Sequence, residues 1–96
     1  MPLFIVIGRD GEGVAEKRAA VRDAHLANLR PIAQAGSVRF AGPLRDESGQ
    51  ACGSVLVLEF PSLAAARSFA ESDPYLTEGV FQTLEVFETL QVFPES

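Results

Sequence analysis

The chain is poor in the residues that mark the more specialised protein classes. It has one cysteine, Cys52, so an internal disulfide is excluded, and a lone thiol without further ligands is no metal motif. It has one histidine, one tyrosine and no tryptophan. No apolar run approaches the roughly 18 residues that suggest a membrane span. The opening segment, residues 1–8, is apolar but lacks a basic stretch and is too short for a signal peptide, so the cytoplasm is the expected location. A basic stripe interleaved with aromatics is also missing. Eight Lys and Arg stand against thirteen Asp and Glu, mixed along the chain, for a formal net charge of −5. Nucleic acid is not an expected partner of such a surface. Low-complexity segments, repeats and linkers are lacking too, and residues 1–96 are expected to form a single domain.

What the chain does have is apolar side chain: 47% of its residues are hydrophobic, seven of them Phe. A body of this size buries only about 60–65% of its unfolded surface. Association is one way to hide the excess.

Leu3–Ile7 is a continuous, β-branched apolar run ended by Gly8, and it predicts a buried strand. Residues 8–13 (GRDGEG) predict a loop; their spacing fits no phosphate-binding motif, and Asp10 and Glu12 would repel an anion. From Val14 to Ala35 the alanine-rich composition predicts a helix capped by Gly36, with Pro31 predicting a kink or boundary near Arg30. At 100° per residue, Val14, Val21, His25, Leu29 and Ile32 form one apolar stripe. Val38–Leu44 predicts a second strand, residues 45–50 (RDESGQ) a polar hairpin loop, and Gly53–Phe60 a third strand. Leu63–Ser72 predicts a second helix, and Val80–Phe93 a long last strand. The order βαββαβ is that of the ferredoxin-like α+β fold with a four-stranded antiparallel sheet.

Two helices cover one face of such a sheet, yet the first and third strands are apolar on both faces. In the last strand, Phe81, Phe87 and Phe93 share parity, which places them on one face opposite Val80, Leu84 and Val86. An apolar second face predicts a homodimer that pairs through the sheet. Which face meets the partner is not decided by the pattern.

One group of residues carries chemistry. His25 lies on the apolar stripe, where an imidazole needs a hydrogen-bond partner, and a buried carboxylate such as Asp73 fixes its tautomer. That pair suits general acid–base catalysis at neutral pH; a structural histidine at the helix–sheet edge is the other reading. Asp73-Pro74 also reads as the N-cap and first residue of a turn of helix, which is compatible with the pair if one carboxylate oxygen caps. Arg22 is a candidate for a substrate group or a solvated helix charge. Tyr75 is a candidate pocket donor or a core ring, and Ser54 a pocket hydrogen-bonder without a nucleophile-elbow pattern. Cys52 reads as a small apolar filler.

Arg22-x-x-His25-Leu26, Gly36, Ala41-Gly42-Pro43-Leu44, Gly53-Ser54 and Ser72-Asp73-Pro74-Tyr75, taken in order and spacing, resemble the YciI-like (YCII-related) proteins from Phe4 to about Val92. The resemblance implies a dimeric α/β barrel of ferredoxin-like protomers, with a pocket whose histidine and aspartate fall on His25 and Asp73. It also implies an enzyme, and since the residues signal neither metal nor nucleotide binding, no cofactor is expected. Related chemistry includes loss of chloride from a chlorinated hydroxyquinol, lactone isomerisation and cofactor-free oxygenation. The expectation is therefore a lyase or isomerase of a small cyclic or aromatic compound. His25 and Asp73 would be catalytic, with Arg22, Ser54 and Tyr75 binding the substrate. The alternatives are a non-catalytic metabolite-binding or regulatory module, and a dimerisation scaffold with His25 walled off from solvent.

Overall fold

The computed structural model describes residues 1–95 and contains the elements β1 (Leu3–Asp10), α1 (Ala15–Gln34), β2 (Val38–Arg45), β3 (Ala51–Glu59), α2 (Leu63–Glu71), α3 (Pro74–Thr77) and β4 (Phe81–Thr89). All neighbouring strands pair antiparallel in the order β2-β3-β1-β4, so the chain has the ferredoxin-like α+β arrangement. The two central strands, β1 and β3, are the ones with the most continuous apolar sequence, as expected for strands flanked on both sides.

Burial in β1 alternates strictly from Leu3 to Gly8: Phe4, Val6 and Gly8 are buried while Leu3, Ile5 and Ile7 are half-buried. Their cross-strand partners follow, because directly paired residues share a face. Phe4 lies opposite Leu58, and Val6 lies between Leu56 and Val86. These side chains, with Leu29 of α1 and Ala66 and Ala70 of α2, make the main core. The two alanines are almost fully buried and let α2 approach the sheet closely. The other face presents Leu3, Ile5 and Ile7 beside Val55, Val57 and Phe87, with Phe40 and Phe87 about half exposed (56% and 51%). No helix covers it.

The structure changes several expectations. Pro31 does not end α1, which runs on to Gln34. The proline removes one amide donor near the helix end, and Ala35 and Ser37 still donate back to the carbonyls of Pro31 and Ile32. Asp10 belongs to β1, not to a loop. β4 ends at Thr89, so Val92 and Phe93 lie outside it and are exposed. Phe81 does not share a face with Phe87. The β1–β4 register slips between Arg9 and Asp10, with Asp10 opposite Phe81 and Arg9 opposite Thr83, so Gln82 is an extra residue and parity reverses across it. Phe81 is therefore turned to the helix side, where it packs edge-on against Tyr75 with ring centroids 5.5 Å apart. Cys52 is exposed rather than a filler, and it is the extra residue where the β2–β3 register slips.

Two glycines in the central strands are held by close approach. A Cβ on Gly8 would run into the Phe81 ring, and one on Gly53 would run into the Gly8 carbonyl oxygen. The second obstacle is backbone and cannot swing away. Gly53→Ala is therefore expected to cost about 2–3 kcal/mol, read as a lowered urea midpoint at unchanged slope; an unchanged midpoint would show that β1 and β3 separate freely.

Candidate functional site

Helix α1 places Arg18, Arg22 and His25 on one flank, since residues four and seven apart share a helix face. That flank stands over β2 and β3 and walls a cavity of about 520 Å³. The floor comes from Ala41 and Pro43 of β2 and Ser54 and Leu56 of β3, and Tyr75 of α3 closes one end. Small residues at Ala15, Ala19, Ala41, Gly42 and Ala51 leave the space open.

Asp73 is the N-cap of α3, and its Oδ1 accepts from the Tyr75 amide at 2.9 Å. The same carboxylate faces His25 Nδ1, with Oδ1 at 2.8 Å and Oδ2 at 3.0 Å. Both residues are buried, at 7% and 3% exposure. A carboxylate only accepts, so Nδ1 carries the proton and donates it to Asp73. In the neutral ring Nε2 then holds the lone pair. No buried polar side-chain atom lacks a partner among the described residues, and Nε2 makes no hydrogen bond there, so it keeps some exposed surface, and His25 lines the cavity. The histidine is thus not walled off from solvent.

Tyr75 stacks on His25 with ring centroids 4.0 Å apart and planes 15° from parallel. The Arg18 guanidinium lies over the same tyrosine ring at 4.5 Å. Both terminal nitrogens of Arg18 are engaged. Its Nη1 donates to Asp10 Oδ1 and Oδ2 at 2.8 and 3.0 Å, and its Nη2 donates to Ser54 Oγ at 2.7 Å and to the Gly53 carbonyl at 2.9 Å. Ser54 accepts in this bond, which leaves its own hydroxyl proton to give to another group. Of the residues singled out from sequence, His25, Arg22, Ser54 and Tyr75 line the cavity, and Asp73 stands directly behind His25. Arg22 is exposed at the cavity wall.

Arg18 and Asp10 were missed by the sequence reading. The signal for Arg18 was present: it precedes His25 by seven residues, which returns it to within about 20° of the histidine on the helix. Asp10 offered no such signal, because its place depends on β1 extending through the glycine-rich segment. Its carboxylate is only 5% exposed, so Arg18→Ala would strand a buried charge. That change is expected to destabilise the fold by about 3 kcal/mol; a loss below about 1 kcal/mol in chemical denaturation would place the pair among ordinary surface ion pairs.

Burial holds the Tyr75 hydroxyl above its ordinary pKa of 10.0, against the opposing pull of Arg18 and Arg22. It therefore stays protonated and a donor at neutral pH. A raised folded pKa contributes stability that is complete below about pH 10 and is lost as pH rises through the folded value. Tyr75 is the only tyrosine, so its ultraviolet absorbance reports this directly. The folded protein is expected to ionise at higher pH than the urea-unfolded chain; coincident curves would refute the burial effect.

No helix among the described residues is long and apolar enough to cross a membrane, and no cluster of three or more His, Cys, Asp or Glu able to hold a metal ion occurs among them.

Fold and cavity together define a ferredoxin-like α+β protein with a histidine–aspartate pair in a cleft between helix and sheet. The chain belongs to the YCII-related domain family, whose model matches residues 2–90. It is 37% identical over 86 residues to the protein YciI of Escherichia coli O6:H1, covering 83% of this chain and 88% of that one. An uncharacterized protein of Haemophilus influenzae is 33% identical over 84 residues, covering 81% and 86%. Among solved structures, the 5-chloro-2-hydroxyhydroquinone dehydrochlorinase of Burkholderia phenoliruptrix, in complex with 2,5-dihydroxybenzoquinone, matches with a TM-score of 0.79 and 29% identity over 88% of this chain and 90% of that one. Rv0793 of Mycobacterium tuberculosis matches with a TM-score of 0.56 at 19% identity over the full length of both, a likeness of fold alone.

Proposed function

We propose that this chain is an enzyme that moves protons on a small cyclic or aromatic compound, with lyase or isomerase chemistry. The observation that carries the reading is the buried His25–Asp73 pair, closed at 2.8 Å on Nδ1, with Nε2 unbonded among the described residues and His25 lining a cavity. In this arrangement Nε2 takes a proton from a bound ring, and Asp73 stabilises the imidazolium that forms. The electron pair left behind makes a new double bond. In an elimination a leaving group departs with its own pair; in an isomerisation His25 returns the proton to another atom.

The cavity volume suits one ring with a few substituents. Ser54 and Tyr75 present hydroxyl donors and Arg22 a charged one, as substrate-binding groups. The likeness to a dehydrochlorinase of a chlorinated hydroquinone supports both the substrate class and the elimination reading. We further infer that two copies pair through the uncovered sheet face, since its apolar side chains gain a dry partner that way.

The test is a screen of small hydroquinones, lactones and ring acids in D2O, followed by NMR for elimination, isomerisation or exchange of carbon-bound protons. Activity in the wild type that disappears in His25→Asn supports the reading. Binding without consumption of any compound, with affinity changed by Asp73→Asn, would instead mark a metabolite-binding module.

A further inference from the structure

The cavity is charged against the grain of the chain. Thirteen acidic residues outnumber eight basic ones, yet three arginines and no Asp or Glu line the cavity. Arg18 is neutralised by Asp10 and faces inward to Ser54. Arg22 and Arg45 are exposed, and neither forms an ion pair among the described residues. The nearest acid in sequence to Arg45 is Asp46, and it is turned into its own hairpin. There its Oδ1 accepts from the Ser48 amide, the Ser48 hydroxyl and the Gln50 amide. Both arginines are thus left with unused donors at the cavity.

They also approach from different walls. Arg22 sits one helical turn before His25 on α1, whereas Arg45 ends β2 beside the floor. We propose that the substrate is an anion, a ring bearing a carboxylate or an equally acidic enol or phenol, whose charged group is held between Arg22 and Arg45 while the ring lies against His25. Guanidinium groups bind such oxygens through charge-assisted, often bidentate hydrogen bonds. In a protein of net negative charge, a locally positive cleft also concentrates anions that the rest of the surface repels. The same two arginines give orientation. With the anionic end fixed at the mouth, the opposite side of the ring is presented to Nε2. This rests on the acid–base reading for which atom is then attacked, but the recognition itself is an equilibrium property and is measured without turnover.

The probes are matched acid–amide pairs of the same shape, benzoate with benzamide and salicylate with salicylamide, titrated calorimetrically into the wild-type protein. Each acid is expected to bind roughly tenfold or more tightly than its amide. Arg22→Gln and Arg45→Gln are each expected to lower acid affinity about tenfold and leave amide affinity within about twofold. Raising the salt from about 50 to about 500 mM should erode the acid preference. Equal affinities of acid and amide in the wild type overturn the proposal, as does a failure of either acid to bind or acid affinity unchanged in both variants. His25→Asn keeps the acid preference if the recognition is right, so loss of turnover in that variant with retained preference separates the two readings.

Discussion

Turnover is expected to fall by roughly 100- to 10,000-fold when His25 is replaced by Asn, the range by which a positioned acid–base group accelerates proton transfer. Asparagine is the informative replacement. Its amide nitrogen can still donate to Asp73, so the buried carboxylate keeps a partner and the fold loses little. What it lacks is a basic atom where Nε2 faces the cavity. Asp73→Asn should act in the same direction for a different reason. An amide at that position can donate to Nδ1, which drives the imidazole proton to Nε2 and removes the lone pair from the cavity side. Two variants at separate places in the chain, one in α1 and one capping α3, would then fail through one shared tautomer. The measurement is kcat against pH on the first substrate found, with circular dichroism to show that both variants fold. Activity of His25→Asn within about tenfold of wild type would remove histidine from the chemistry, because an acid–base role contributes more than that.

The legible part of this protein is the part written in local pattern. The apolar run Leu3–Ile7, the alanines of the first helix and the apolar stretch of the third strand identify their elements through local composition alone. His25 stands on the apolar stripe for the same reason, and Asp73-Pro74 marks the start of α3 by its capping chemistry. What escaped depends on register and on contacts distant in sequence. Parity puts Phe81 on the face of Phe87 only if the strand runs regularly through Gln82, and a bulge resets parity without a composition signal. In the sequence Arg18 is one of eight scattered basic residues. Its meaning comes from Asp10, Gly53 and Ser54 on two strands, which only the folded sheet brings to it. Arg45 and Arg22 likewise become a pair only when β2 and α1 face each other across the cavity.

Val57→Lys is expected to convert a dimer into a monomer of 10.3 kDa while leaving the cavity chemistry in place. Val57 sits in β3 opposite Ile5, which in turn lies opposite Phe87, so it belongs to the middle of the uncovered face. The Phe40 register partner of Val57 extends the same apolar surface onto β2. In a free protomer a lysine there reaches water along its aliphatic stem and costs little. In a two-fold interface every substitution appears twice, and an ammonium enclosed by apolar side chains costs several kcal/mol unless it finds a counter-charge. Association should therefore collapse with one substitution per chain. His25 and Asp73 lie on the opposite, helix-covered side of the sheet, so equilibrium binding at the cavity provides an independent control. Sedimentation velocity decides the matter. A wild-type protein that sediments as a monomer at micromolar concentration, or a Val57→Lys variant that stays dimeric, would show that the apolar face is not where the copies meet. Loss of the dimer with the cavity intact would assign the two faces of one sheet to different tasks, assembly on one and chemistry on the other.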